Sequence, residues 1–516
     1  MTFLPRLLLA ATLLSLSIPA TLFAQTPAAQ PRSAWLDAPL VHSPPRLGNF
    51  LMPPTGCGYY SGLDWLRGDL RDKAPKSAFP PFALMHPSFF DNDFRYVDDP
   101  KYQPELFERL HRLHAGDDWL FATGGQASWR HMHEFNSRLS GRTNDYDLLR
   151  ARVYGDLWYR DSFRIYAEFI TSHTFSEALA PLRIDANRAD LLNAFVDVKL
   201  TELNGRPAYL RVGRQELNIG STRLISSLDW ANTRRTFEGV RGFYLGEKCD
   251  VNLFWVQPVI VDKTRFDYAD HNQNFAGAYV TYRPQKGRAI DVYYLYLDNH
   301  NNTRANTLFL APTLTHTVGS RYVGDKDGFL WDFEGAFQLG ENRGNAVSAG
   351  MATAGLGYNW KNRPMNPTVW AYYDWASGDR SPNAGGYHTF NQQFPFGHYY
   401  LGFLDVVGRQ NIRDLSFHLY LHPAKWITFN AQCHLFRLDS AKDALYSAGG
   451  VPLRVRTNGS AGGVVGQELD LLVNFHLGPQ SDFLLGYSKL NAGEFISNTG
   501  NGRSPELFYA MCNFRW

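Results

Sequence analysis

From Trp119 to the last residue the chain alternates with a period of two, and no downstream stretch is apolar for the ~18 residues a spanning helix needs. In 149–159 one face carries Leu149, Ala151, Val153, Gly155, Leu157 and Tyr159, and the other Arg150, Arg152, Tyr154, Asp156 and Trp158. In 163–169, Phe163, Ile165, Ala167 and Phe169 oppose Arg164, Tyr166 and Glu168. The same pattern predicts eighteen strands, near 119–129, 147–159, 163–172, 194–203, 207–214, 236–246, 249–258, 274–284, 288–298, 316–323, 329–340, 348–360, 367–376, 410–422, 425–437, 466–477, 482–490 and 506–516. A soluble sandwich would alternate too, so the connections have to decide.

The connections alternate short and long. Arg160-Asp161-Ser162, Asn204-Gly205-Arg206, Glu247-Lys248 and Pro423-Ala424 are short; 173–193, 215–235, 377–409 and 438–465 are long; only 341–347 breaks the order. Outer-membrane barrels have short periplasmic turns and longer outer loops. The 398 residues from Trp119 leave about 22 per strand and connection, which suits membrane strands of ~9–11 residues. The fold class expected is all-β: a transmembrane antiparallel up-and-down β-barrel of about 18 strands, with an irregular N-terminal periplasmic extension. Charged residues then face the lumen and apolar ones the lipid.

Composition excludes several alternatives. Lys and Arg number 51 against 49 Asp and Glu, a balance of +2 that gives no basic footprint for nucleic acid. A mean hydropathy of −0.33 is too polar for a polytopic helical membrane protein, and four scattered cysteines make no disulfide scaffold. Aromatics reach 15%, more than a polar chain needs for a core, and suit interfacial girdles.

The ends differ from the middle. Residues 1–24, with Arg6 as the one charge and Leu22-Phe23-Ala24 before Gln25, read as a secretory signal. Residues 25–118 hold 13 prolines in 94 positions, as many as 119–516 holds in 398, and should be irregular apart from one short helix at 104–114. This segment is expected to be a periplasmic extension or a plug. The last strand puts Phe508, Ala510, Cys512, Phe514 and Trp516 on one face. That ending resembles the assembly signal of bacterial outer-membrane barrels, so the barrel-assembly machinery is an expected partner through Trp516, with outer-membrane lipid around the barrel.

Eighteen strands can enclose an aqueous lumen. Alternation points Arg150, Arg152, Arg164, Lys199, Arg211 and Arg241 inward on strands 2–6. It points Asp156, Glu168, Asp197, Asp291, Asp332, Glu334, Asp374, Glu468 and Asp470 inward as well, mostly on strands 9–16. A basic sector would draw anions by a focused potential. Equally, opposite charges would pair and hold the wall rigid.

Several segments, in order, resemble the alginate-export outer-membrane porins: 210–217 (Leu-Arg-Val-Gly-Arg-Gln-Glu-Leu), 229–233, 236–241, 375–380, 436–439 and 466–471 (Gly-Gln-Glu-Leu-Asp-Leu). The resemblance implies a monomeric eighteen-stranded barrel whose electropositive lumen passes a polyuronate, with possible periplasmic secretion partners. By position it assigns the solute path to Arg211, Arg214 and Arg241, with Glu468 and Asp470 as acidic partners; alternation adds Asp197 to those partners. It assigns a gating role to the loop after strand 3, where Arg183, Asp185, Arg188 and Asp190 keep 172–192 charged. The chain departs from the family in that this loop is short, the turn before strand 17 shrinks to 478–481, and strand 17 carries only Lys489. Neither a turn plug nor tight alginate selectivity follows.

Two other classes compete with this reading. A general or substrate-specific uptake porin for small solutes shares the fold and differs in selectivity. An outer-membrane enzyme would need a nucleophile or metal motif, and the chain has no Gly-x-Ser-x-Gly, Walker loop, His-Glu-x-x-His or Cys-x-x-Cys. No cofactor or metal is expected. His131 and His133 share a strand face but read as a solvated pair. Cys433 and Cys512 read as lipid-facing, and Cys57 and Cys249 could pair in an oxidising compartment.

Overall fold

The computed structural model describes residues 66–68, 88–301 except 101 and 105, and 312–516 except 362, 383, 384, 425 and 479. The alternating segments form eighteen strands in the expected order. They are β1 (Trp119–Phe135), β2 (Asn144–Tyr159), β3 (Phe163–Phe175), β4 (Asn187–Leu203), β5 (Arg206–Gln215), β6 (Phe237–Leu245), β7 (Cys249–Ile260), β8 (Gln273–Tyr282) and β9 (Arg288–Asn299). The second half comprises β10 (Thr313–Lys326), β11 (Phe329–Asn342), β12 (Asn345–Asn359), β13 (Thr368–Ala376), β14 (Ile412–Ala424), β15 (Ile427–Leu438), β16 (Val464–His476), β17 (Ser481–Ala492) and β18 (Glu506–Arg515).

Each strand pairs antiparallel with its sequence neighbours, and β18 pairs back onto β1 from Gln126↔Arg515 to Phe135↔Glu506. Closure leaves no sheet edge, which is what a barrel in hydrocarbon requires. Gly125 exchanges both backbone hydrogen bonds with Trp516 at this seam, at 2.9 and 3.1 Å. A Cβ on Gly125 would lie 2.3 Å from the Arg152 carbonyl and 2.6 Å from the Trp516 ring, so the C-terminal aromatic seats only against glycine.

Alternation decides which face is wet. Val153, Phe169, Leu253, Trp255, Phe337 and Leu356 are exposed on the outside, while Arg152, Tyr154, Glu168, Asp197 and Arg211 are buried inside. This inverts a soluble core. The outward row of β18, from Phe508 to Phe514, fits the same rule.

At one end the turns are tight. Asn204-Gly205 and Asp327-Gly328 both have positive φ at both positions, the I′ geometry that matches strand twist. The short connection between β11 and β12 at the other end is built the same way, with Arg343 and Gly344 at φ 52° and 81°. On the loop side the first strands run further than alternation suggests: β1 and β2 pair as far as Glu134↔Asn144. Beyond the bilayer a ladder needs backbone partners but no apolar face.

The helix expected at 104–114 is absent. Glu108–His111 is one 3-10 turn and Leu113–Ala115 is a strand paired to β1. Leu106 is exposed and the buried residues are Glu108, His111 and Arg112, so the leucine spacing marks no buried face.

Candidate functional site: the charged lumen

The lumen wall of β2 to β6 carries the basic residues that alternation places there, and nearly all of them are paired. Arg152 Nε donates to Glu168 Oε1 at 2.7 Å. Arg164 is bidentate to Asp156, with both bonds at 2.7 Å. Arg211 is bidentate to Asp197, at 2.7 and 2.9 Å, and Arg164 Nη1 stands 3.6 Å from the same carboxylate. Lys199 sits at the turn-side mouth, held by Asp161 and Glu202. The guanidinium planes also rest on aromatics: Arg211 lies 3.7 Å from the Phe195 ring centre and Arg152 lies 4.1 Å from that of Phe89.

Arg150, Arg241 and Arg130 are bonded differently. Arg150 donates to the carbonyls of Asp229 and Ala231 and approaches the Asp229 carboxylate at 3.5 Å. Arg241 donates twice to Asn252 Oδ1, at 3.0 and 2.6 Å. Arg130 donates to the Trp230 carbonyl and stacks 3.8 Å over its indole.

Three expectations need correction. Arg214 does not line the lumen. Gln215↔Phe237 points inward, so Arg214↔Glu238 points outward beside exposed Val240, and Arg214 pairs there with Glu238 at 2.6 Å. Glu468 and Asp470 are inward and fully buried, but they do not pair with arginine. Glu468 accepts from the Leu404 amide at 3.1 Å, Asp470 accepts from the Phe403 amide at 3.4 Å, and His434 approaches Asp470 at 3.8 Å. Finally, 172–192 does not enter the lumen. Arg188 and Asp190 belong to β4, and Arg183 and Arg188 are exposed. Asp190 binds the Asp267 amide, and Asp185 binds the Leu182 amide at the outer rim. Burial pushes the Asp185 carboxyl up to about 6, and that of Asp267 likewise to about 6. The segment became strand because β3 and β4 continue their ladder to Ser172↔Asn187.

Two other loops fold inward. The 216–236 loop, between β5 and β6, meets the 377–411 loop, between β13 and β14, at a parallel bridge of Ile225 with Phe394. They exchange hydrogen bonds between Ser226 and Phe394 and between Phe394 and Leu224, at 2.9 and 3.0 Å. Their apolar residues pack with lumen-facing Phe254, Phe275, Tyr293 and Leu295. These loops bring the counter-ions of the acidic wall. Arg223 binds Asp332 and Glu334, both at 2.8 Å, Arg409 binds Asp374, and Arg321 on β10 binds Asp332 at 2.6 Å. Arg234 pairs with Glu216 at 2.5 Å and with Asp229. Arg223, Arg234 and Arg409 were not singled out in the sequence, since they lie between alternating segments. The one available signal was Arg223, Arg234 and Arg235 gathered in a 21-residue connection.

Residues 88–112 reach the same wall from the turn side. Phe89 and Phe90 pack among Ala122, Tyr154, Tyr166 and Phe195. Arg164 Nη2 donates to the Phe90 carbonyl at 2.9 Å, and Asn218 Nδ2 to Ser88 Oγ at 3.0 Å. His111 stacks on Phe94 at 4.0 Å and hydrogen-bonds with the Tyr154 hydroxyl. Burial pulls its imidazole down to about 4, so it is neutral here at neutral pH.

His131 and His133 face outward and pair with Asp147 and Asp145, and among the described residues no group of three metal-ligating side chains occurs. Cys433 and Cys512 are free and outward, and Cys249 is free; Cys57 lies outside the described residues, as do 1–24.

A closed eighteen-strand barrel with a charged, loop-filled lumen is the architecture of an outer-membrane porin. The family model described as alginate export matches residues 120–510. The chain belongs to the alginate export family. The solved structures it resembles include three from Pseudomonas aeruginosa. OpdO aligns at TM-score 0.51 and 10% identity, covering 76% of this chain and 97% of that one. OccK10 (OpdN) aligns at 0.51 and 10%, covering 76% and 99%. OccK11 (OpdR) aligns at 0.50 and 10%, covering 77% and 95%. At that identity they establish the porin-like barrel alone. No curated protein sequence matches the chain. Family and fold together identify an outer-membrane channel.

Proposed function

We propose that the barrel passes an anionic polysaccharide or sugar acid by diffusion, as a monomer. The observation that carries this reading is a set of guanidiniums, Arg130 and Arg241 buried and Arg235 half-buried, whose hydrogen bonds go to neutral oxygens. Arg241 rests on Asn252, Arg130 on the Trp230 carbonyl, and Arg235 on the carbonyls of Ser226 and Pro395. Burial pulls Arg235 down to about 10, so it keeps its charge at neutral pH. A buried charge without a carboxylate is costly, and such sites persist where function uses the field. Arg150, Arg152, Arg164 and Arg211 share the wall and would hand the anion along it as their ion pairs exchange. In this reading residues 1–24 direct export, Trp516 presents the closing strand to the assembly machinery, and 88–112 acts as a plug. The barrel has no direction of its own, so a concentration gradient and periplasmic partners set it.

Planar-bilayer recordings test the reading. A polyuronate oligosaccharide should block the wild-type current, and Arg241→Gln should weaken the block by about tenfold, as expected for losing one buried charge contact. A second reading, a channel for small solutes, is favoured by the two loops that meet inside the bore. Free passage of a neutral disaccharide without polyuronate block would select it.

A further inference from the structure

The outer rim of β13–β16 carries a basic cluster that the lumen does not use. On this wall the outward row nearest the long loops reads Trp375↔Arg413↔Arg437↔Val464 across four strands. Two residues along each strand toward the membrane centre, about 7 Å along the strand, the row reads Tyr373↔Leu415↔Leu435↔Gln467, and the next reads Ala371↔Phe417↔Cys433↔Leu469. Tyr373, Leu415, Phe417 and Leu469 are all exposed, so a lipid-facing apolar band begins directly beneath two arginines. An indole at the same level marks the interface.

Arg413 and Arg437 are directly opposite one another in the ladder. Like charges in that position destabilise a sheet. Their compensation within the protein is partial. Arg413 donates Nε and Nη2 to Asp439 Oδ1, at 2.9 and 2.7 Å. That oxygen also accepts from Trp375 Nε1 at 3.0 Å, and Oδ2 accepts from the Gly378 amide at 3.1 Å. Arg380, on the following loop and exposed, stands 3.9 Å from the same carboxylate. The other nearby carboxylate, Glu494, accepts from the Gly463 and Val464 amides at 2.9 and 3.3 Å. Arg437 is exposed and its guanidinium extends past Gly463. Two guanidiniums therefore share one carboxylate already bonded to an indole and an amide, and Arg437 has near it, among the described residues, only the carboxylate of Glu494, whose oxygen two amides already occupy.

We propose that Arg380, Arg413 and Arg437 bind a phosphate of an outer-leaflet glycolipid whose acyl chains lie along Leu415, Phe417 and Leu469. Planar guanidiniums bind phosphate bidentately, and the height of the row places them at headgroup level. The anion relieves the opposed pair while the chains cover the apolar rows. The occupant is a lipid because charge and apolar surface are contiguous; a free phosphate would use only the first.

Native mass spectrometry of the full-length protein tests this with three probes: bisphosphorylated lipid A, the same lipid dephosphorylated, and inorganic phosphate. The wild type should retain the phosphorylated lipid at least tenfold better than the dephosphorylated one. Arg413→Gln with Arg437→Gln should remove that preference, with heat-modifiable gel migration confirming a folded barrel. Arg437→Gln alone should weaken retention several-fold. Equal retention of the two lipids by the wild type, or an unchanged preference in the folded double variant, overturns the proposal. Full displacement of the lipid by millimolar phosphate assigns the site to the free anion and overturns it too.

Discussion

Asp197 shows what one residue does in this lumen. It is fully buried, bidentate to Arg211 and within reach of Arg164. Asp197→Asn leaves the buried Arg211 guanidinium without its carboxylate, while Arg164 keeps Asp156, and breaking such a pair costs about 3–5 kcal/mol. The temperature at which the folded band disappears in heat-modifiability gels should fall accordingly. Asp185 offers a pH test. Its carboxyl rises from an ordinary 3.8 to about 6 through burial. A raised folded value means the folded form holds the proton more tightly, so its contribution is full below about pH 4 and is lost as pH rises through about 6. Protease cutting in 176–186 should be slower at pH 4.5 than at pH 7.5, and Asp185→Asn should flatten the difference. Single residues were legible where the period of two was clean: Arg150, Arg152, Arg164, Arg211 and Arg241 all face inward as expected. Arg214 was not, because its motif places it three residues after Arg211, an odd separation that the pleat turns to the opposite face.

Among the elements, all eighteen strands were legible and the inward loops were not. Strands have a period that burial imposes on each one separately. A loop's position depends on partners far along the chain. Arg223 finds Asp332 and Glu334 more than a hundred residues away, and no local spacing encodes that. The loop after β3, given a gating role by the resemblance, has its ends drawn into the ladder of β3 and β4. Arg223→Gln removes the pin between the 216–236 loop and β11. Single-channel recordings should then show higher and noisier conductance from a barrel that still resists heat; unchanged traces would mean the loops do not restrict the bore. Deleting 25–112 uncovers Arg152, Arg164 and Arg211, since Phe89 and Phe90 lie against them. Conductance should rise several-fold, and an unchanged value would contradict the plug.

For the whole molecule, the near balance of 51 basic and 49 acidic residues averages two surfaces that differ in kind. The lipid face is apolar with a charged outer rim, and the lumen is dense in ion pairs with a few guanidiniums left on neutral oxygens. The basic wall expected on β2–β6 exists, but local pairing neutralises most of it; loop arginines neutralise the acidic wall at Asp332, Glu334 and Asp374, while Glu468 and Asp470 take amides and His434 instead. In the proposed reading, what acts on a solute is a small positive excess at Arg130, Arg235 and Arg241. This excess should make the channel prefer anions. The zero-current potential of the full-length protein across a potassium chloride gradient measures that preference. Anion selectivity that declines in Arg241→Gln is the predicted result; a cation-selective potential, or one that Arg241→Gln leaves unchanged, contradicts the account.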